Sequence, residues 1–345
     1  MIRFECDYTE GAHPRILEAL SRTNMEQTVG YSEDEHCENA GRLIREACDC
    51  PMADVHFLVG GTQANMTVIA GILRPHQGVV SAESGHINVH ETGAVEATGH
   101  KVLTLPSKDG KITAKQIADI CEEHINDESF EHMVQPGMVY ISNPTEYGTI
   151  YTKNELQKIS QACQAYNIPL FMDGARLGYG LMAEGNDITL PDIARYCDIF
   201  YIGGTKVGAL FGEAVVITND TLEKDFRYFI KQRGGMLAKG RLLGIQFEEL
   251  FRDNLYMEIS AHADELAMKI RKAFEEKGIP FAYESVTNQQ FPVLTYKQAN
   301  KLAKKYSFMV NENELSKGSA MVRFCTSWAT KTENVEALVA DIMKL

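Results

Sequence analysis

The stretch YCDIFYIGGTKVGALFG, Tyr196 to Gly212, places a lysine just after a short apolar run. Ile199 to Ile202 have the length of a strand, and Gly203-Gly204 end it abruptly, so we expect Lys206 in a tight, largely uncharged turn at a strand end. Desolvation lowers the pKa of a lysine and makes its amine a nucleophile that can form a Schiff base with an aldehyde. A surface lysine in a glycine-rich turn fits this stretch alone equally well.

A second charged residue follows an apolar run upstream, in PLFMDGAR at 169–176. An aspartate at the carboxyl end of a buried strand, as predicted for Asp173, could pair with a protonated ring nitrogen. Arg176 suits a carboxylate or a phenolic oxygen, because its guanidinium is a planar, multidentate donor. Taken singly, an aspartate that caps the next turn and an arginine in a surface salt bridge remain open.

A glycine pair marks a third strand end, in VHFLVGGTQAN at 55–65. The pattern predicts a strand, then Gly60, Gly61 and Thr62, then a helix to Leu73. Glycines before a helix N-terminus leave backbone N–H groups free to hold a phosphate, and the helix dipole adds to the attraction. One such turn is weak evidence. A phosphate cradle, an aspartate and a lysine in this order are much stronger evidence together.

Apolar runs of strand length alternate with segments of helical period from Val55 to Ile217. This alternation is typical of βαβ units and predicts an α/β fold with a mostly parallel central sheet flanked by helices. Active sites in such sheets lie beyond the carboxyl ends of the strands, where Gly61, Asp173 and Lys206 are all predicted. The predicted helices include 14–22, 88–97, 113–124, 153–166, 222–229, 241–251 and 298–306.

The pattern after Ile217 changes to longer helical segments and then to two alternating runs, FPVLTY (291–296) and MVRFCTSW (321–328). These runs, with helices around them, predict a smaller α+β C-terminal domain. We therefore expect three parts of the chain: an N-terminal segment, a large α/β domain and the small domain, with bounds at 1–35, 36–250 and 251–345.

Composition restricts the class of protein. The 345 residues are 44% hydrophobic and carry a net charge of −13, so the chain can bury a large core but offers no positive field to a nucleic acid or an anionic membrane. No apolar run reaches membrane-spanning length, and the first residues lack a signal-peptide core. Because the eight cysteines lack the paired spacing of a zinc site, we expect reduced thiols, a cytoplasmic location and no metal.

Four segments together resemble one known family: GGTQAN (60–65), GHINVHETGA (85–94), DGARLGYG (173–180) and GGTKVG (203–208). They are similar to motifs of the low-specificity L-threonine aldolases of the beta-eliminating lyase group, and the similarity covers nearly the whole chain. Members of that group are pyridoxal phosphate enzymes of the aspartate aminotransferase-like fold, fold type I. The resemblance implies this fold and this cofactor, and is less specific for the substrate.

The resemblance also implies that the N-terminal segment, 1–35, is an active-site segment, and it implies roles for individual residues. Lys206 would hold pyridoxal 5'-phosphate as a Schiff base, Asp173 would keep its pyridine nitrogen protonated, and His86 would stack on the ring and transfer protons. Glu91 matches an acidic neighbour of that histidine, and His90 is a minor alternative base. The expected cofactor-binding residues are Gly61, Thr62, His86, Asn143, Asp173, Arg176, Lys206 and Lys239. The expected substrate-binding residues are Asp7, Tyr31, Arg176 and Arg323.

Two of these assignments depend on basic residues late in the chain. Lys239 lies in the glycine-rich loop KQRGGMLAKGR (231–241), which in the family reaches a second subunit's active site and helps to hold the cofactor phosphate. We therefore expect a homo-oligomer, dimer or tetramer, with shared active sites; Arg241 is a further candidate, and a solvated basic loop is an equally good interpretation. Arg323 lies inside an apolar run, where a guanidinium needs a partner such as an amino-acid carboxylate.

Three positions depart from the family's pattern. Cys6 stands where many members have serine, and Ser32 stands where glycine is usual. The segment SNPTEYGT (142–149) keeps Asn143 but lacks a histidine that can contribute to the environment of the substrate hydroxyl. The preferred side chain of the substrate and its stereochemistry are therefore left open.

The reaction implied is cleavage of L-threonine, L-allo-threonine or a related 3-hydroxy amino acid to glycine and an aldehyde. A base near His86 would remove the proton of the β-hydroxyl group as the Cα–Cβ bond breaks. One alternative is a pyridoxal phosphate lyase that eliminates the β-substituent of cysteine, tryptophan or tyrosine and forms pyruvate and ammonia. A second alternative is a non-catalytic protein that binds the cofactor.

Overall fold

A seven-stranded sheet forms the centre of the computed structural model, which describes residues 1–311 and 318–345. Its strands are β2 (Asp54–Leu58), β3 (Gln77–Ala82), β4 (Val102–Leu105), β5 (Gln135–Ser142), β6 (Leu170–Asp173), β7 (Ile199–Gly203) and β8 (Glu213–Ile217). They are ordered β2-β8-β7-β6-β5-β3-β4. Strands β3 to β7 pair in parallel, whereas β8 runs antiparallel to both β7 and β2. The mostly parallel sheet predicted from the sequence is confirmed.

Both faces of the sheet are buried under helices. In β7, Phe200 and Ile202 pack into the core on one face, while Ile199 and Tyr201 pack into the core on the other. Successive side chains of a strand point to opposite faces, so a strand covered on both sides must be apolar throughout. This requirement explains why its continuous apolar run could be recognised in the sequence.

The helices begin where the sequence offers caps. Threonines 113, 152 and 189 form capping boxes with a glutamine, a glutamate and an aspartate three residues on, which satisfy the first free N–H groups of α6, α7 and α9. The α-helices are α1 (Pro14–Arg22), α2 (Glu35–Ala47), α3 (Gly61–Ile72), α4 (His86–Val89), α5 (Ala94–Ala97), α6 (Ala114–Asn126), α7 (Lys153–Ala165), α8 (Leu177–Met182), α9 (Leu190–Tyr196), α10 (Phe226–Gln232), α11 (Arg241–Phe251), α12 (Leu255–Glu276), α13 (Tyr296–Leu302) and α14 (Thr332–Ile342).

Three helix predictions are wrong in detail. The segment 88–97 is not one helix, because Thr92 and Gly93 adopt left-handed backbone conformations that separate α4 from α5. The segment 222–229 is likewise divided, since Asp225 has a φ of 63° and α10 begins only after it. The helix predicted to reach Tyr306 ends at Leu302, and Tyr306 starts a short strand.

A second, antiparallel sheet lies in the C-terminal part of the chain. Its strands are β9 (Gln289–Gln290), β10 (Val293–Thr295), β12 (Met309–Asn311) and β13 (Ser319–Cys325). The first strand of the chain, β1 (Ile2–Arg3), pairs in parallel with β11 (Tyr306–Ser307). The smaller α+β domain is therefore present, and the N-terminal segment begins on it. The domain bounds at 35 and 250 remain a prediction.

One edge of the large sheet collects the residues that the sequence singled out. Parallel strands end on the same side of a sheet, so the turns after β2, β3, β5, β6 and β7 lie along one edge. Gly61, His86, Asn143, Asp173 and Lys206 each lie at or just beyond one of these strand ends. Within residues 1–311 and 318–345, no helix is both long and apolar enough to span a bilayer.

The turn after β6 is tightly packed against β7, which gives a test of the fold. A Cβ atom at Gly174 would lie 2.0 Å from the backbone oxygen of Tyr201, and a backbone atom cannot rotate away. We expect Gly174→Ala to lower the free energy of unfolding by about 2–3 kcal/mol, as overpacking does elsewhere. Urea unfolding followed by circular dichroism measures this. Gly60→Ala is the control, because nothing lies within 4 Å of its added Cβ; equal midpoints for both variants would contradict the packing argument.

Candidate functional site

Three hydrogen bonds stabilise the turn that contains Lys206. The amides of Gly204 and Thr205 donate to the carbonyl of Gly212 at 3.0 and 3.2 Å, and the hydroxyl of Tyr179 donates to the carbonyl of Lys206 at 2.5 Å. The side chain is mostly buried. Burial lowers the pKa of Lys206, with a further contribution from the positive charge of Arg176, while three nearby carboxyl groups oppose the shift. A lowered pKa increases the fraction of the amine that is a neutral nucleophile.

Asp173 is a buried carboxylate surrounded by donors. Its Oδ2 accepts from the Tyr140 hydroxyl at 2.6 Å and from Asn65 Nδ2 at 3.1 Å, and its Oδ1 accepts from the amide of Ala175 at 2.9 Å. Burial by itself raises the pKa of this carboxyl, but hydrogen bonds from Tyr140 and Tyr201 lead the effects that oppose burial, and the pKa is lowered. The carboxylate is therefore ionised in the interior, where it can stabilise a buried cationic group.

His86 is connected to Asp173 through two side chains. Its Nδ1 lies 2.7 Å from Oε1 of the buried Glu91, and Asn65 Nδ2 donates to the same oxygen at 2.7 Å as well as to Asp173. Because Nδ1 faces a carboxylate, it carries the proton, and Nε2 is left as the free acceptor of the ring. The backbone N–H of His86 also donates to Glu146 Oε1, at 2.9 Å. His86 is thus fixed at both its ring and its backbone.

Arg176 and Asp7 form a buried, bidentate ion pair. Arg176 Nε and Nη2 lie 2.7 and 3.0 Å from the two carboxylate oxygens of Asp7, which also accepts from Asn288 Nδ2 at 2.9 Å. Burial acts to raise the pKa of Asp7, but the charges of Arg176 and Lys206 and these hydrogen bonds lower it to about 2. The pair attaches the N-terminal segment to the strand edge beside Lys206.

Arg323 approaches the same edge from β13 of the small domain. Its guanidinium donates to the carbonyl of Glu5 at 2.9 Å and to Gln289 Oε1 at 3.2 Å, and its buried Nε has no partner. Among the residues that the structure describes, Arg323 has no ion pair with a carboxylate. Its charge contributes to lowering the pKa of His90, after burial and the charge of His86, which places it near the histidines.

The N-terminus of α3 has the form predicted for a phosphate cradle. Gly60 is the N-cap, with an extended backbone and no side chain to satisfy the first N–H groups, so these groups remain available. A Cβ at Gly61 would meet the Tyr201 hydroxyl at 3.0 Å, and Thr62 is exposed. Asn143, at the end of β5, accepts from the amide of Tyr151 at 3.1 Å through Oδ1, which leaves its Nδ2 as a donor.

Tyr31 and Lys239 are both exposed, and the loop that carries Lys239 contacts Tyr31. Tyr31 packs under Lys231, whose Nζ is 4.8 Å from the ring centre, and its amide donates to the carbonyl of Ala238. Lys239 is exposed on the same loop. The guanidinium of Arg241 is occupied, because it donates to the backbone carbonyls of residues 23, 24 and 26. Arg241 is therefore an anchor of that segment and not a free phosphate ligand.

Several residues of the site were missed in the sequence. Asn65 lies within a quoted motif, one helical turn after Gly61, but no local pattern indicates that it connects Asp173 to Glu91. Glu213 stands at the start of an apolar strand, and this is a signal that could have been used. Its carboxyl group is buried near Lys206, so the turn that holds the lysine is not uncharged as expected.

The fold and the site define a class of protein, the fold type I enzymes. An aspartate aminotransferase from Thermus thermophilus has the same fold at 13% identity, with a TM-score of 0.71 over 100% of this chain and 91% of that chain. The sequence model of the beta-eliminating lyase family matches residues 4–315, and the chain belongs to this family. Members of this family are pyridoxal phosphate enzymes.

Threonine aldolases are among the proteins similar to this chain. A threonine aldolase structure from Leishmania major is 46% identical, with a TM-score of 0.97 over 100% of this chain and 99% of that chain. The low specificity L-threonine aldolase of a Pseudomonas species is 28% identical over 99% of this chain and 96% of its own length. A putative L-allo-threonine aldolase from Listeria monocytogenes shares the fold at 19% identity, with a TM-score of 0.72 over 99% and 96% of the two chains.

The ion pair of Asp7 and Arg176 predicts how stability depends on pH. Asp7→Asn leaves a buried guanidinium without its counter-charge, so we expect a loss of about 3–5 kcal/mol at pH 7. Because the folded pKa of Asp7 lies below its unfolded value of 3.8, the difference from wild type is complete above that value and shrinks as the pH falls towards 2. Urea titrations at pH 7, 5 and 3 measure this.

Glu33→Gln is the matched control for this test. Glu33 pairs with Arg227 on the exposed surface, where an ion pair contributes little. Equal losses of stability in the two variants, or a loss in Asp7→Asn that grows as the pH falls, would contradict the assignment.

Proposed function

We propose that this protein is a pyridoxal phosphate-dependent aldolase that cleaves threonine, allo-threonine or a related 3-hydroxy amino acid to glycine and an aldehyde. The observation that carries the proposal is a set of residues at one strand edge: a lysine of lowered pKa, and a buried aspartate linked through Asn65 and Glu91 to a histidine. The relatives named as threonine aldolases support the substrate class.

The residues at the site fit pyridoxal phosphate, with Lys206 as the amine that forms the Schiff base. The free N–H groups at Gly61 and Thr62 suit its phosphate, and the ionised Asp173 suits its protonated ring nitrogen. His86 would cover the ring, and the donors of Asn143 and Arg176 would meet the phenolic oxygen. When bound, this cofactor withdraws electrons from the Cα of an amino acid, which allows the Cα–Cβ bond to break.

The protein's own groups then have distinct tasks. Arg323, which lacks a carboxylate partner among the described residues, binds the carboxylate of the substrate. His86 Nε2 takes the proton of the β-hydroxyl group, and Glu91 stabilises the resulting positive charge through Nδ1. Asp7 acts through Arg176, which it holds in place.

The exposed group around Tyr31 suits a shared site between subunits. Tyr31, a further substrate contact, and Lys239, a phosphate contact, lie on an exposed surface. We propose a homo-oligomer, a dimer or a tetramer, in which they complete the site of a neighbouring copy. All eight cysteines are unpaired, which is consistent with a reducing cytoplasm.

The cofactor and its anchor are tested with Lys206→Ala. Wild-type protein is expected to show a visible Schiff-base band, and borohydride reduction followed by peptide mapping should label Lys206. The variant should lose both the band and the formation of glycine from threonine, whereas the exposed control Lys224→Ala should keep them. Glycine formation at the wild-type rate in Lys206→Ala would overturn the proposal.

Pyruvate and ammonia from cysteine, tryptophan or tyrosine, without glycine from threonine, would indicate the β-eliminating alternative.

The base is tested by comparing His86→Asn with His90→Asn. The two rings lie 5.6 Å apart, but Glu91 holds only His86, whereas His90 is exposed. We expect His86→Asn to lower kcat for threonine cleavage by about 10²–10⁴-fold, the usual effect of losing a general base, and His90→Asn to have a much smaller effect. A larger loss of kcat in His90→Asn would make His90 the base.

A further inference from the structure

The helix that begins at His86 has no acceptor of its own for its first N–H groups. The first N–H groups of a helix lack partners within it, and the N-cap of α4, Gly85, has no side chain that could accept from them. A Cβ atom at Gly85 would collide with the Ser81 hydroxyl group and lie 3.0 Å from the backbone oxygen of Ala82, so this position favours glycine. Acceptors for the start of α4 therefore have to come from other parts of the chain.

Glu146 supplies such an acceptor from the turn that follows β5. Its Oε1 accepts from the backbone N–H of His86 at 2.9 Å and from the Ser142 hydroxyl at 2.8 Å. Its Oε2 is buried and has no hydrogen-bond partner within residues 1–311 and 318–345. One oxygen of Glu146 thus holds the backbone of the residue that we propose as the base.

Hydrogen bonds within the turn 143–149 fix the backbone on both sides of Glu146. The amide of Thr145 donates to the carbonyl of Thr149 at 2.9 Å, and the amide of Gly148 donates to the carbonyl of Thr145 at 2.9 Å. The two threonine hydroxyl groups are hydrogen-bonded at 2.7 Å, and that of Thr149 also lies 2.7 Å from the carbonyl oxygen of Asp109. The carboxyl group of Glu146 therefore extends from a well-defined backbone.

The same turn packs against the small domain. The ring of Tyr147 stacks on the ring of Tyr283, with their centres 3.8 Å apart and an angle of 9° between the planes. Phe291 meets both rings edge-on. Phe291 directly follows β9, which pairs with β13, the strand that carries Arg323. The residue after Glu146 is therefore held by the domain that contributes the proposed carboxylate-binding arginine.

We propose that Glu146 is a positioning residue for His86, held in place from the small domain by the stack of Tyr147 on Tyr283. Glu91 orients the ring of His86 through Nδ1, whereas Glu146 fixes the backbone from which that ring extends. Glu146 acts through His86 and not on the reacting atoms. Its effect on catalysis rests on the proposed function, but its effect on the orientation of His86 does not.

The first test compares Glu146→Ala with Glu146→Gln in the holoenzyme. Gln keeps an oxygen that can accept from His86, and it has the shape of a protonated glutamate, the form that burial favours by raising the pKa of Glu146. Ala removes the acceptor. We expect Glu146→Ala to lower kcat for threonine cleavage by about 10–100-fold with little change in KM, because a small displacement of a catalytic group is costly. Glu146→Gln should retain most of the kcat; equal losses in the two variants would overturn the proposal.

A double-mutant cycle shows whether Glu146 acts through His86. In a His86→Asn background, Glu146→Ala should have almost no further effect on kcat, because the ring that Glu146 positions is absent. A general structural role would lower kcat by the same factor in both backgrounds, and that result would overturn the proposal. Glu83→Ala is the matched control. Its exposed carboxyl group lies in the same connection before α4 but accepts from the amide of Ser107, at 3.2 Å, so kcat should not change.

Tyr147→Leu tests the link to the small domain, and it takes the place of Glu146→Ala if that variant does not fold. Leu keeps apolar volume but cannot stack on Tyr283. We expect a smaller loss of kcat than in Glu146→Ala, and again no further loss in the His86→Asn background. Wild-type kcat in Tyr147→Leu would overturn the role assigned to the stack.

An NMR measurement tests the positioning without turnover. In protein labelled with isotopic histidine, the Nδ1 proton of His86, hydrogen-bonded to Glu91, should give a downfield signal that is assigned by its loss in His86→Asn. The signal should persist in Glu146→Gln and shift or weaken in Glu146→Ala, and an unchanged signal in Glu146→Ala would overturn the positioning role. If the signal responds as expected but the wild-type protein forms no glycine from threonine, the proposed function fails and the positioning of His86 stands.

Discussion

The ionised state of Asp173 is the constraint on which the rest of the site depends. A carboxylate in the interior is stable only when donors replace the water that it has lost. Here the donors come from three different elements: the Tyr140 hydroxyl from β5, the Asn65 amide from α3 and the backbone after β6. Those elements must therefore be packed in register before the charge can be buried. The network continues through Asn65 to Glu91 and His86, so the orientation of the histidine depends on the same packing.

The topology of the sheet explains why the charged groups meet. Six strands deliver their carboxyl ends to one edge, and the reversed strand β8 delivers its first residue to the same edge. Glu213, at the start of β8, thus lies at the same edge as Lys206, which follows β7. Both residues belong to the connection between these two antiparallel strands. The buried pair of Asp7 and Arg176 then attaches the N-terminal segment to this edge, while that segment begins on the small domain through β1.

The sequence predicted the parts of the structure that depend on local pattern. Continuous apolar runs identified the inner strands because those strands are covered on both faces, and Lys206 and Asp173 could be placed because glycines end those runs. The helix over 88–97 was wrong because two residues, Thr92 and Gly93, change backbone conformation without changing the polarity pattern. Asn65 and Tyr140 could not be assigned, since their importance comes from contacts between elements that are distant in the chain.

The arrangement of charged side chains also indicates which charges a ligand of this site should carry. Asp7 neutralises the charge of Arg176 through a bidentate ion pair. Among residues 1–311 and 318–345, neither Asp173 nor Arg323 has an ion-pair partner; Asp173 suits a cationic ring nitrogen, and Arg323 suits an anionic carboxylate. Asp173 lies at the end of β6 in the large sheet, and Arg323 lies on β13 of the small domain. A carboxylate at Arg323 and a cationic ring nitrogen at Asp173 would neutralise both groups at once, so a ligand that carries both charges would be oriented by the two ends of the site.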